Sequence, residues 1–243
     1  MKSLIKITLT VALALVGLSN AQAQWGNKKV VGNGNVTTKT VSTGSYDAVK
    51  GVGSMDVHLV KGNEGDIKVT TDENLQEYVI IEVKDNALIV RTKKNYYLKT
   101  KKGIHVTVPF QDISKVALTG SGDIDTKDTI DAPNLEVSIT GSGDVNLDVN
   151  SGMLEVRVTG SGDVELSGKT NDLDVSISGS GDFSGFDLEA NNTEARVSGS
   201  GDAQVVARKS IKARVNGSGD ITYKGNPERR DNKTSGSGDI NSY

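Results

Sequence analysis

An all-β solenoid wound in coils of about 19 residues is the fold this sequence predicts. The tetrapeptide Gly-Ser-Gly-Asp occurs seven times, beginning at Gly120, Gly141, Gly160, Gly179, Gly199, Gly217 and Gly236, at a nearly constant spacing. A fixed period of about 20 residues marks units that cannot bury an apolar face alone and must stack on their neighbours. Apolar and polar residues alternate on both sides of each copy, and that period of two is the strand period. No long stretch carries the i, i+3, i+4, i+7 spacing of an amphipathic helix.

Each coil reads as a strand, a tight corner, a shorter strand and a second turn. Leu135, Val137 and Ile139 precede one corner, and Leu154, Val156 and Val158 the next; Val145 and Leu147, then Val164 and Leu166, follow them. Second turns fall at Asn150-Ser151-Gly152 and Ser167-Gly168-Lys169. Glycine supplies the positive φ of the corner, and Ser and Asp side chains can bond the backbone groups that a bend leaves unpaired. Stacking at about 4.8 Å aligns Asp123, Asp144, Asp163, Asp182, Asp202, Asp220 and Asp239 in one column. Neighbours in that column would repel by about 0.9 kcal/mol in water, so backbone donors or cations must offset the charge. A structural corner brace is the reading adopted, with no cofactor expected; a calcium column is the alternative.

Before the repeats, the chain reads in three parts. Residues 1–23 read as a secretory signal peptide: a basic start with Lys2 and Lys6, an apolar run from Ile7 to Leu18, and Ala21-Gln22-Ala23 at the cleavage site. Cleavage there removes Lys2 and Lys6 and takes the formal charge from −3 to −5. An extracytoplasmic location (periplasm, outer-membrane surface or secreted) follows. A nucleic-acid partner does not, and the apolar run is too short for a transmembrane span. Residues 24–35 read as a linker. Residues 36–243 form the solenoid domain, with a less regular β region over 36–113 and the regular repeats and a C-terminal cap over 114–243. In the first region, strands are expected around Val57, Ile67, Val79, Ala87 and Ile104, a hairpin turn at Asp85-Asn86, and one short helix over Asp72–Tyr78. Gly53-Ser54-Met55-Asp56 is a degenerate corner that extends the winding into this region.

Candidate chemistry is sparse. Lys93, Lys94, Lys99, Lys101 and Lys102, interleaved with Tyr96 and Tyr97, make a basic aromatic loop, which is a solvated turn or a contact for an anionic glycan or membrane surface. Glu136, Glu155, Asp174 and Glu194 recur one coil apart and are followed by Lys212; two positions on, the column reads Ser138, Arg157, Ser176, Arg196, Arg214. Opposite charges on one face predict cross-strand ion pairs. Thr119, Thr140, Thr159, Ser178, Ser198, Asn216 and Ser235 form another column, expected to hydrogen-bond from coil to coil. The chain has no cysteine and two histidines, His58 and His105, in separate strand patterns, a weak basis for a metal site. Serine nucleophiles fare no better, because there is no Gly-x-Ser-x-Gly elbow.

These motifs together resemble the head GIN domain family. The residues that carry the resemblance are Ile104-His105-Val106-Thr107-Val108-Pro109, the repeated Gly-Ser-Gly-Asp corners, Ile221-Thr222-Tyr223-Lys224-Gly225-Asn226-Pro227 and the last Ser235–Ile240. Members are exported proteins of Bacteroidetes called auto-transporter adhesins. The resemblance implies a right-handed single-stranded β-helix and no established activity. The expected function is therefore a non-enzymatic binding or scaffold protein of the cell envelope or surface, possible partners being glycans or other envelope components. A glycan-active β-helix enzyme, a polysaccharide lyase or hydrolase, is the alternative.

Overall fold

The computed structural model describes residues 27–243. The signal-peptide reading of 1–23 lies outside the described residues. The fold is the expected β-solenoid, with stacked parallel coils of about 19 residues in about seven turns. Corner glycines align from coil to coil: Gly53, Gly120, Gly141, Gly160, Gly179, Gly199, Gly217 and Gly236 are successive register partners in parallel pairs. Inward alternation builds one continuous core, in which Val137, Val156, Val175, Ala195 and Ala213 are all fully buried.

The corner requires glycine twice. In a mid-stack copy Gly160 has φ +120°, and a Cβ there would lie 2.3 Å from the Gly141 carbonyl oxygen; at Gly162 it would lie 2.0 Å from that of Gly143. Both Ser161 and Gly162 donate their N–H to the Gly141 carbonyl, so corners stack backbone on backbone. Departures from the regular period have local causes. The longest coil, between Gly120 and Gly141, carries an outward excursion around Lys127–Thr129, because Asp125 pairs with Asn146 but Ile130 with Val149. In the coil between Gly179 and Gly199, Gly185 and Phe186 together oppose Leu166, a β-bulge.

Chain order and stacking order differ at the N-terminal end. The strand Ala48–Gly53 lies between Lys115–Gly120 on one side and Ala87–Thr92 on the other, all parallel. Asp56–Lys61 likewise lies between Ile124–Thr126 and His105–Phe110. The coil formed by 87–110 is thus outermost, although it follows 46–61 in sequence. Its exposed edge is closed by antiparallel strands: Val79–Lys84 on Ala87–Thr92, and Asp66–Asp72 on His105–Phe110, with Val36–Ser42 beyond. The hairpin turn has Asp85 at φ 49° and Asn86 at φ 61°, and a 3₁₀ helix runs from Glu73 to Tyr78. Within the stretch read as a linker, Lys28–Val31 is a strand, paired in parallel with Tyr96–Lys99.

At the other end Arg229–Gly236 and Ile240–Ser242 form a last coil in register with the stack. Its inward positions are polar: Arg230 faces Ile211, Asn232 faces Ala213 and Thr234 faces Val215. Every residue of Arg229–Gly236 is exposed, so this coil covers the core without extending it. None of the helices among the described residues is long and apolar enough to cross a membrane.

Candidate functional site

The corner aspartates form a self-bracing ladder. Asp144 donates its N–H to Asp123 Oδ1 at 3.1 Å, Asp163 to Asp144 at 2.9 Å and Asp182 to Asp163 at 2.9 Å. The series continues through Asp202, Asp220 and Asp239 at 2.8, 2.8 and 2.7 Å. Each carboxylate from Asp123 to Asp220 thereby receives a backbone donor from the coil above, which offsets the repulsion along the column. The donors are exposed to water, so each brace is individually modest.

The flat face of the coils carries a network of ion pairs. Glu136 accepts from Lys115 at 2.8 Å and Arg157 at 3.1 Å, and Arg157 also reaches Glu155. Arg196 bonds Asp174 at 3.0 Å and also Glu194, which Lys212 approaches to 2.5 Å. Burial pushes the Glu194 carboxyl up, but the bonds and charges of Lys212 and Arg196 outweigh it and leave the group below the usual range. No pair of carboxylates here is free to divide acid and base roles. The hydroxyl column from Thr119 to Ser235 is in register, yet no side-chain hydrogen bond joins its members among the described residues. Side-chain ladders occur instead at the second turn, as in Ser151 to Thr170 at 3.0 Å and Asn192 to Asp172 at 2.8 Å, where the bend brings side chains together.

The basic aromatic segment behaves differently. Tyr96–Lys99 is a strand, not a loop, and its two-stranded sheet with Lys28–Val31 stands on the N-terminal cap. Alternation gives this sheet two faces. Tyr96 and Leu98 turn inward: Leu98 packs on the core, and Tyr96 meets Tyr78 with ring centroids 4.7 Å apart. Lys93 Nζ sits 5.6 Å from the Tyr96 ring centre and 5.8 Å from that of Tyr78. The outward face carries Lys29, Val31, Tyr97 and Lys99, with Val31 and Tyr97 each 57% exposed. Around it lie Lys28, Lys94, Lys101 and Lys102, and among the described residues no carboxylate makes an ion pair with any of the cap lysines from 28 to 29 or 93 to 102.

One buried carboxylate holds this sheet in place. Asp72, 2% exposed, accepts from the Thr100 hydroxyl and the Gly34 N–H, both at 2.6 Å. The Thr100 bond, with the backbone bonds, keeps its carboxyl below the usual range against the upward push of burial. Asp72 therefore ties the arm before Asn35 to the loop after Lys99, the two ends of the sheet.

The fold also joins residues that no motif connected. His58 Nδ1 lies 2.7 Å from Asp125 Oδ2, His58 Nε2 lies 3.2 Å from His105 Nδ1, and His105 Nε2 lies 2.9 Å from the Lys102 carbonyl oxygen. Asp56 Oδ2 is 3.5 Å from His105 Nδ1. His58 and Asp125 occupy the same place in their coils, counted from Gly53 and Gly120, so half of this cluster follows from aligning corners. His105 does not, because its coil stacks out of chain order.

The class defined by this architecture is a β-solenoid whose coils present braced corners and an ion-paired flat face and whose N-terminal cap presents a basic one. Residues 45–227 match the family described as "Putative auto-transporter adhesin, head GIN domain", and the chain belongs to that family. Among solved structures it is similar to a "putative adhesin" of Bacteroides fragilis, with TM-score 0.84 and 24% identity over 88% of this chain and 100% of that one. A "Putative lipid binding protein" of Parabacteroides distasonis is similar at TM-score 0.71 and 27% identity, over 89% and 100%. A "putative adhesin" of the same species aligns at TM-score 0.73 and 25% identity, over 89% and 100%. No curated protein matches the chain.

Proposed function

We propose that this chain is an exported, non-enzymatic binding protein of the cell envelope, and that the outward face of the cap sheet contacts an anionic envelope component. The observation that carries the reading is the contrast in pairing. On the flat face Lys115, Arg157, Arg196, Lys212 and Arg214 are each matched with a carboxylate, whereas Lys29 and Lys99 flank an exposed Tyr97 and Val31 with no carboxylate bound to them. Lysine heads with an aromatic and an aliphatic side chain between them suit a surface with anionic groups above apolar or ring carbons, as in phosphorylated lipids or acidic glycans. The adhesin names of the family and the lipid-binding name of one solved relative agree with a contact protein. Neutralised carboxylates on the coil face speak against the lyase or hydrolase alternative.

The reading is tested by co-sedimentation with vesicles of phosphatidylcholine alone or with phosphatidylglycerol, alongside retention on uronic-acid and neutral polysaccharides. Binding should require the anionic component and weaken as salt rises. Equal binding to neutral vesicles or neutral polysaccharides, or turnover of any polysaccharide, would overturn it.

A further inference from the structure

The chain of contacts through the two histidines contains more acceptors than two neutral rings can serve. Asp125 and the Lys102 carbonyl can only accept, so His58 Nδ1 and His105 Nε2 must both carry hydrogen. The contact between them, 3.2 Å from His58 Nε2 to His105 Nδ1, needs a third hydrogen. With ring centroids 5.4 Å apart and planes 17° from parallel, the two rings meet edge to edge with these nitrogens facing each other. A neutral imidazole has one N–H, so two neutral rings supply two hydrogens for three contacts. In the neutral pair, one contact sets a bare lone pair against another or against a carbonyl oxygen. One added proton satisfies all three.

Two carboxylates stand beside the pair. Asp56 and Asp125 face it, the first from the strand of His58 and the second from Ile124–Thr126. On the antiparallel strand, uncharged Thr70 is the register partner of His105 and Lys68 that of Thr107. Beyond Asp125 the next coil offers uncharged Asn146. Lys101 and Lys102 belong to the loop that the pair grips. We propose that His58 and His105 form a proton-binding latch: one proton shared between the rings completes the chain from Asp125 to Lys102 and fixes the Thr100–Ile104 loop. That loop is held by Asp72 through Thr100 on one side and by His105 through Lys102 on the other, so uptake of the proton sets the position of two cap lysines. The latch does not depend on the cap binding an anion.

Imidazole ¹⁵N shifts of the full chain, followed with falling pH, test it together with amide exchange corrected for its intrinsic pH dependence. The first proton should move the shifts of both rings in a single step. Exchange at Thr100–Ile104 should slow about tenfold across that step, the scale of one charge-assisted hydrogen bond, with coil amides unchanged. In His105→Gln, His58 should titrate alone and loop protection should lose its pH dependence, while protected coil amides show that the variant is folded. Independent titration of the two rings in the wild type, or the same pH-dependent loop protection in His105→Gln, overturns the latch.

Discussion

The regular coils and the N-terminal cap solve the same edge problem in opposite ways. The coils repeat one corner, paired glycines with a carboxylate on the next backbone N–H, and the arginines that three of them carry on the flat face are matched to acids. Such repetition leaves the corners equivalent from coil to coil. The cap is built from single-use parts instead: antiparallel strands out of stacking order, a buried Asp72, an added two-stranded sheet and a linked histidine pair. The lysine-flanked Tyr97 and the linked histidines lie where the repeat ends, which teaches that function in a solenoid of this kind is to be sought where periodicity fails.

Substitutions at corner glycines should break the comparison most severely. Gly162→Ala places a Cβ 2.0 Å from the Gly143 carbonyl, backbone against backbone, and should cost about 4 kcal/mol in denaturant unfolding or prevent folding. In the cap, Gly34→Ala meets nothing within 4 Å, and its positive φ alone should cost about 1 kcal/mol. Similar losses at the two sites would mean that the corners tolerate displacement and that the repeat is not the rigid part.

Acid should separate the regions next. The Asp72 carboxyl is held below its ordinary value, so its contribution to stability is present above the unfolded-state value and is lost as pH falls through the folded one. Amides of Lys28–Val31 and Tyr96–Lys99 should therefore lose exchange protection on acidification before those of Val145–Gly160 do. Asp72→Ala should give the same early loss at neutral pH, and simultaneous loss in both regions would refute the clamp. A smaller effect, about 1 kcal/mol by thermal unfolding, is expected for Asp163→Ala, because the Asp182 N–H it leaves behind is open to water. Addition of a chelator should leave the melting temperature unchanged if the ladder is braced by backbone donors alone. Smallest of all, Arg196→Ala removes exposed ion pairs and should cost under about 1 kcal/mol.

The coils were readable because their determinants are local and repeated. The spacing of Gly120, Gly141 and Gly160 gives the period, and the alternation around Val156 and Val175 gives the inward face. Even Gly53 betrayed its coil through a corner with Met55 in the third place, where no corner of the outermost coil lies against it. The cap was harder to read because its contacts are long-range. Nothing local in Lys28–Val31 announces a partner as distant in the chain as Tyr96–Lys99, and His105 meets His58 only because a later coil stacks beneath an earlier one. The hydroxyl column shows the opposite error, a pattern visible in sequence that the spread of side chains on a flat sheet leaves unbonded.

The claim that the coils are scaffold and the cap is the contact surface is tested most directly by hydrogen–deuterium exchange with and without phosphatidylglycerol vesicles. The account predicts added protection at Lys28–Val31 and Lys93–Lys102, abolished by Lys29→Glu with Lys99→Glu, and no change along the corners and flat faces from Val145 to Gly217. Protection spread over the coils, or a cap footprint that survives both charge reversals, would contradict it.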